Sequence, residues 1–266
     1  GEAVLGVRYD DYFLEEGRHP TRWDLDQVST EHPIKVTHFS GHGHVVNSYA
    51  LEKAGITKDT PDPTGGGVMG RDKNGEPNGQ FFDCNMVPSS VFPRTSTTNQ
   101  LEALAAGSEA YASQGATTVN NGAGSSLNTF KLHEEAVEKG YLKVRSTLWT
   151  SVNGGKQIRD YVGNKTGITK ADWDEKGMIA STGIKYFSDG SPQLRTAYMT
   201  DPYYDTGDLP EDWVSQPTMS PEQLIQSVVD AHEAGFDAIY IHANGDAAVD
   251  MVLDAYEEVR KEGYRQ

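Results

Sequence analysis

The stretch NQLEALAAGSEAYASQGATTVN, residues 99–120, joins two kinds of pattern. Residues 99–115 carry apolar side chains at helical spacing and end at Gly115, and the β-branched run 116–120 follows at once. The phrase then recurs. TFKLHEEAVEKG (129–140) precedes VRSTLWTSV (144–152), a helix around 155–162 and a polar connection precede IKYFSD (184–189), and PEQLIQSVVDAHEAG (221–235) precedes DAIYIHA (237–243). Four helix-then-strand units predict a parallel sheet with right-handed crossovers, in a doubly wound sheet or a (β/α)8 barrel. Strands over 116–120, 144–150, 183–188 and 238–243 are expected side by side in that order, and a last helix over 247–263 packs after them.

Residues 1–98 follow another pattern. They are rich in Pro, Gly and Asp, and DTPDPTGGGVMGRDKNGEPNG (59–79) is dense in turn formers and predicts a hairpin. The glycine cluster lacks the Gly-Lys-Ser/Thr ending of a phosphate-binding loop and no helix pattern follows it, so that reading is set aside. The expected organisation is a lobe over 1–98 that covers one mouth of the sheet, and (β/α) units over 99–266.

Composition narrows the partners. The formal net charge of −16, from 23 basic and 39 acidic residues, argues against nucleic acid and anionic lipid, both of which need a basic face. No run is apolar enough to span a membrane. The single cysteine, Cys84, allows no intramolecular disulfide, which suits a reducing compartment such as the cytoplasm. The opening GEAVLGVRYDDYF begins partway through a strand-like run and DAYEEVRKEGYRQ stops at the close of a helix, so an internal piece of a longer polypeptide is expected. An incomplete sheet would leave an exposed edge, and association into a homo-oligomer is the expected consequence.

GIKYFSDGS (183–191) sets a lysine among residues that want burial: Lys185 stands between Ile184 and Tyr186. A strand lysine either extends its head to water or does chemistry. Reactive side chains of parallel α/β proteins collect at the carboxyl ends of strands, where Lys185 falls, and His242 in YIHANGD falls there on the next predicted strand. Each is followed by a glycine-containing turn with an aspartate, SDGS and NGD.

GIKYFSDGS followed by YIHANGDAAVDMVLDAYE closely resembles the fourth and fifth barrel strands of the amidohydrolase superfamily, in the amidohydrolase family 3 branch that contains N-substituted formamide deformylases and many uncharacterised metal-dependent hydrolases. RWDLDQVSTEHPIKV (22–36), HVVNSYALEKAGITKDTPDPTGGGVMGRDKNGEPNGQFFD (44–83) and GATTVNNG (115–122) are similar to that branch's phrases in their usual order. One position departs from it: Ser40 precedes Gly41-His42 where the branch usually has Asp.

The resemblance implies a metal-dependent hydrolase on a TIM-type barrel with an inserted loop and hairpin lobe, incomplete here because the first and last barrel strands lie outside the chain. Lys185 would be carboxylated by CO2 and bridge two divalent cations, zinc being expected, and His242 would ligate one of them through a neutral imidazole nitrogen. An ammonium repels a cation, whereas a carbamate offers two oxygens. A metal-activated hydroxide would attack the carbonyl of a small-molecule amide or ester. His42 is expected on the substrate side. His42-Gly43-His44 also imitates the superfamily's strand-one metal pair, and plain structural histidines are the third reading. With the other ligands outside the chain, Lys185 is expected here as an unmodified amine without a tightly held metal pair. Two further functions remain: a Schiff-base aldolase, in which desolvation makes a barrel lysine nucleophilic, and a catalytically inactive scaffold or binding domain.

Overall fold

A computed structural model describes residues 2–92, 97–163, 172–173, 176–207, 209–261 and 263. The chain divides into two compact units, one of Gly1–Arg94, Ser188–Ser220 and Ala243–Met251, the other of Thr95–Phe187, Pro221–His242 and Val252–Gln266.

The first unit is built on a mixed sheet of five strands, β1 (Val4–Tyr9), β2 (Ile34–His38), β3 (Gly43–Val46), β4 (Val68–Arg71) and β5 (Pro77–Phe82), in the order β1-β2-β3-β5-β4. Only β1 and β2 run parallel. Helix α1 (Arg22–Asp26) lies between β1 and β2 in the chain, and α2 (Ser48–Ala54) follows β3. Val46, Ala50, Leu51, Met69 and Phe81 form the core of this unit. The glycine-rich run makes the predicted hairpin: β4 and β5 pair antiparallel around a turn in which the Asp72 N–H donates to the Glu76 carbonyl at 2.8 Å and the Asp72 carboxylate accepts the Asn74 and Glu76 N–H groups. Arg71 reaches back to Asp62 at 2.9 Å and to the Thr60 carbonyl at 2.7 Å, which pins the loop that precedes the hairpin. Gly79 has φ 92°, and a Cβ there would collide with the Val46 carbonyl, so β5 can lie this close only with glycine at that position.

The second unit is a parallel α/β layer. Helix α3 (Thr97–Ser113) leads to β6 (Thr118–Ser125), α4 (Leu127–Glu138) to β7 (Arg145–Thr150), α5 (Val152–Val162) to β9 (Ile179–Phe187), and α6 (Pro221–Glu233) to β10 (Ile239–His242). The strands are hydrogen-bonded in the order β10-β9-β7-β6 and all run parallel, as the repeated helix-strand phrase predicts. β8 (Asp172–Trp173), which periodicity does not reveal, pairs antiparallel with the start of β9, and part of the polar connection before it lies outside the described residues. Helix α7 (Asp246–Lys261) contributes its residues from Val252 onward to this unit.

Alternation decides which side chains meet the helices. Leu148 and Ile179 pack on Phe130 and Ile158, Ile184 packs on Ala231 and Phe236, and Ile239 and Ile241 pack against Val228, Val229 and Val259. Fully burying a side chain such as Phe130 stabilises by about 1.5–3 kcal/mol. The residues between them, Trp149, Lys185, Phe187, Tyr240 and His242, are therefore on the opposite face. The fold is thus mixed α/β with a parallel sheet.

Candidate functional site

Candidate site residues lie in both units. In the second unit, β10 pairs with β9 so that Tyr240 stands opposite Lys185 and His242 opposite Phe187. That register places Lys185 and His242 on one face, near the carboxyl ends of adjacent parallel strands. The Lys185 ammonium group lies 5.5 Å from the Trp149 ring centre and 5.2 Å from that of Phe187, and the Phe187 and His242 rings are 5.6 Å apart. Trp149 and Tyr240 stack at 3.8 Å with an interplanar angle of 14°. Partial burial in this aromatic setting holds the Lys185 pKa below its ordinary value. The amine is easier to neutralise there than on an open surface.

In the first unit, His42 precedes β3 and its Nδ1 lies 2.6 Å from Asp83 Oδ1. The backbone repeats the link, since the Asp83 N–H donates to the His42 carbonyl at 2.7 Å. Asp83 also accepts from the Thr196 hydroxyl, which in turn accepts the Ser191 N–H. The hydrogen bond to Asp83 raises the His42 pKa, and burial opposes it. His44, its neighbour in HGH, has a different environment: its ring stacks on Phe81 at 5.4 Å, and burial, aided by Lys35, lowers its pKa to about 4. Among the described residues His42 and His44 belong to no group of three metal-ligating side chains.

One group of side chains in the first unit does have the spacing of a cation site: one ligand atom from each of Asp11, His19 and His38 lies within 4.8 Å of the other two. His38 ends β2, Asp11 starts a 3-10 turn (Asp11–Phe13), and His19 precedes α1. The His38 side chain is fully buried, and those of Asp11 and His19 are 9% and 11% exposed. His38 Nε2 is 3.1 Å from Asp11 Oδ1, and His19 Nε2 is 3.6 Å from Asp11 Oδ2. Tyr9 Oη reaches His19 Nδ1 at 3.2 Å, and Ser40 Oγ reaches His38 Nδ1 at 2.7 Å. Burial lowers the His19 pKa, Arg195 and His38 contributing to the shift while the Asp11 and Asp10 carboxylates oppose it. Ser40 also accepts the His42 N–H at 3.2 Å, so the position that departs from the amidohydrolase pattern holds a local hydrogen-bond network.

Sequence reading singles out Lys185, His242 and His42 but not the aromatic pair Trp149–Tyr240, nor Asp11, His19 and His38. The strand alternation of VRSTLWTSV and DAIYIHA was a usable signal for the pair. Asp11, His19 and His38 are spread over 28 residues with no local spacing, and only the fold joins them.

Residues 1–266 match the amidohydrolase family. The chain is 30% identical over 269 residues to Protein LONG AFTER FAR-RED 3 of Arabidopsis thaliana, covering 97% of this chain and 44% of that protein. It is 30% identical to the putative amidohydrolase YtcJ of Bacillus subtilis (strain 168), over 96% of this chain and 46% of that one, and 28% identical to the N-substituted formamide deformylase of Arthrobacter pascens, over 98% and 47%. An uncharacterized metal-dependent hydrolase from Pyrococcus horikoshii OT3 shares the fold with a TM-score of 0.61 at 21% identity, over 97% of this chain and 48% of that one. The chain spans about half the length of the relatives it matches. With a match over its whole length, this chain belongs to the amidohydrolase family.

Proposed function

We propose that the chain supplies part of the active centre of a metal-dependent amidohydrolase that cleaves amide bonds, or related C–N or ester bonds, of small molecules. The observation that carries this reading is the β9–β10 register, which sets Lys185 and His242 on one face at adjacent parallel strand ends. Their chemistry fits a divalent cation. The depressed Lys185 amine is suited to take up CO2, and the resulting carbamate offers oxygens while His242 offers an imidazole nitrogen. A bound divalent metal supplies a Lewis acid for the carbonyl and a water of lowered pKa. His42, its ring fixed by Asp83 and its side chain 31% exposed, is assigned to orienting the substrate. The parallel sheet is assigned to a larger (β/α)8 barrel, in keeping with relatives about twice as long.

The test is made on the full-length polypeptide that contains this chain, with N-formyl and N-acyl amines as probes. Lys185→Ala and His242→Ala are expected to abolish hydrolysis and reduce bound metal while the far-UV circular dichroism is unchanged. Full activity in both folded variants would overturn the proposal. The depressed amine also favours a second reading, Schiff-base chemistry, for which borohydride with a carbonyl substrate should trap an adduct on Lys185.

A further inference from the structure

We propose that Asp11, His19 and His38 bind one divalent transition-metal cation of the zinc class, at a site that shares no residue with Lys185 and His242. His19 Nε2 is buried without a hydrogen-bond partner, although a carboxylate oxygen lies 3.6 Å away. A buried imidazole nitrogen in that position loses solvation and gains little, because 3.6 Å is too long for a hydrogen bond. It is close to the separation of two ligands on one tetrahedral zinc, roughly 3.3 Å from metal–ligand bonds of about 2.0–2.1 Å. The 3.1 Å between His38 Nε2 and Asp11 Oδ1 brackets that value from below.

The surroundings agree with a ligand set. Both Nε2 atoms face the same carboxylate; the His19 Nδ1 meets the Tyr9 hydroxyl, and the His38 Nδ1 meets the Ser40 hydroxyl at 2.7 Å and the Ser40 backbone N–H at 3.3 Å. At His19 that is the outer support a metal-binding imidazole uses: with Nδ1–H donated to the Tyr9 oxygen, Nε2 is the basic nitrogen; His38 would take the same tautomer by donating Nδ1–H to Ser40 Oγ and giving up the Ser40 N–H. Two imidazoles and one carboxylate are donors that suit zinc, cobalt and nickel rather than calcium or magnesium. Asp11 and His19 border a cavity of about 490 Å³, while His38 lies behind them. A cation would therefore have three protein ligands and one position open to that cavity for water. Arg18 and Arg195 line the same cavity and would oppose an added cation, but each is ion-paired at 2.8–2.9 Å, with Asp24 and Asp205.

The experiment uses the 266-residue chain carrying Lys185→Ala and His242→Ala, so that the ligands of the proposed hydrolase centre are gone. Zinc is titrated against a chromophoric chelator, and cobalt(II) is added separately to read the visible spectrum of the bound ion. One equivalent of zinc and a tetrahedral cobalt spectrum are expected. Asp11→Asn and His19→Ala should abolish stoichiometric binding, and Tyr9→Phe, which removes only a hydroxyl from the outer support, should weaken it roughly 10- to 100-fold. No binding in the parent, or equal binding in folded Asp11→Asn, overturns the site. If the ligand variants fail to fold, Tyr9→Phe decides, because unchanged affinity there also overturns it. Zinc that binds the wild-type chain but is lost in the Lys185→Ala/His242→Ala background counts against this site and leaves the Lys185 reading standing.

Discussion

The carboxylate of Asp189 accepts the backbone N–H of Gly245 at 2.7 Å, and so joins the turn that follows β9 to the turn that follows β10. The same carboxylate takes the N–H of Asn244 at 3.0 Å and that of Tyr198 at 3.1 Å. Asp189 is only 2% exposed, so water cannot replace it. Asp189→Ala leaves three N–H groups without their acceptor, each costing about 1–3 kcal/mol, and should lower stability by about 3 kcal/mol or more. Urea unfolding is the check, and a shift in midpoint at constant slope is expected. Gly245→Ala should act in the same direction, because a Cβ there meets the Tyr198 carbonyl. Stability within a few tenths of a kcal/mol of wild type would show that the turns do not depend on this carboxylate.

Much of this was legible in the sequence as residue types, and little of it as partnerships. The SDGS and NGD turns were visible after the two strands, yet that Asp189 of one holds the amides of the other is a tertiary fact. The four helix-strand units were legible because β7, β10 and the end of β9 alternate, one side meeting helices, although a register shift puts Ile179 at the start of β9 out of phase with Ile184. β6 runs to Ser125, beyond the predicted 116–120, because its glycines and asparagines lack a hydrophobic pattern. Lys185 and His242 were readable as strand-end residues. His19 and Asp11 were not, since a loop histidine and an aspartate in a short turn give no period to read.

Gly183 makes room for the aromatic pair beside Lys185. A Cβ at this position would lie 2.6 Å from the Tyr240 ring and 2.7 Å from the Ala238 carbonyl. The ring can give, but only by leaving its stack on Trp149. Gly183→Ala should therefore destabilise by about 1–3 kcal/mol, the range for forced overpacking. Near-ultraviolet circular dichroism should lose the signal that Trp149→Phe also removes. An unchanged spectrum would mean that the stack does not sit over this glycine.

Asn47 explains physically why VVNSYAL reads as one phrase. Its side-chain oxygen accepts the Ala50 N–H, capping α2, and also the Ile34 N–H of β2, while its amide donates to the Ser29 and His32 carbonyls at 2.8 and 2.9 Å. The residue is fully buried. Asn47→Ala should cost about 3 kcal/mol or more, beyond the roughly 0.5–2 kcal/mol of a cap alone. Asn47→Asp keeps both acceptor contacts but turns a buried carboxylate oxygen toward the Ser29 and His32 carbonyls, and in thermal unfolding it should also lie well below wild type. If both variants unfold with wild type, the four bonds do not contribute as their burial requires.

The His42–Asp83 pair gives a pH dependence whose sign is fixed by geometry. Its hydrogen bond to Asp83 favours the imidazolium, with smaller help from the Asp83 and Asp189 charges, and raises the folded-state pKa above the ordinary 6.5 despite partial burial. A group whose pKa rises on folding adds stability that is fully present below its unfolded value, and that stability is lost as pH rises through the folded value. The difference in unfolding free energy between wild type and His42→Gln should therefore be largest below about pH 6.5 and shrink on the alkaline side. Asp83→Asn removes the carboxylate while keeping a neutral acceptor, and should lower the His42 pKa measured by histidine NMR. A His42 titration at or below its ordinary value in the wild-type chain, or a stability difference that stays flat with pH, would show that Asp83 does not hold this ring.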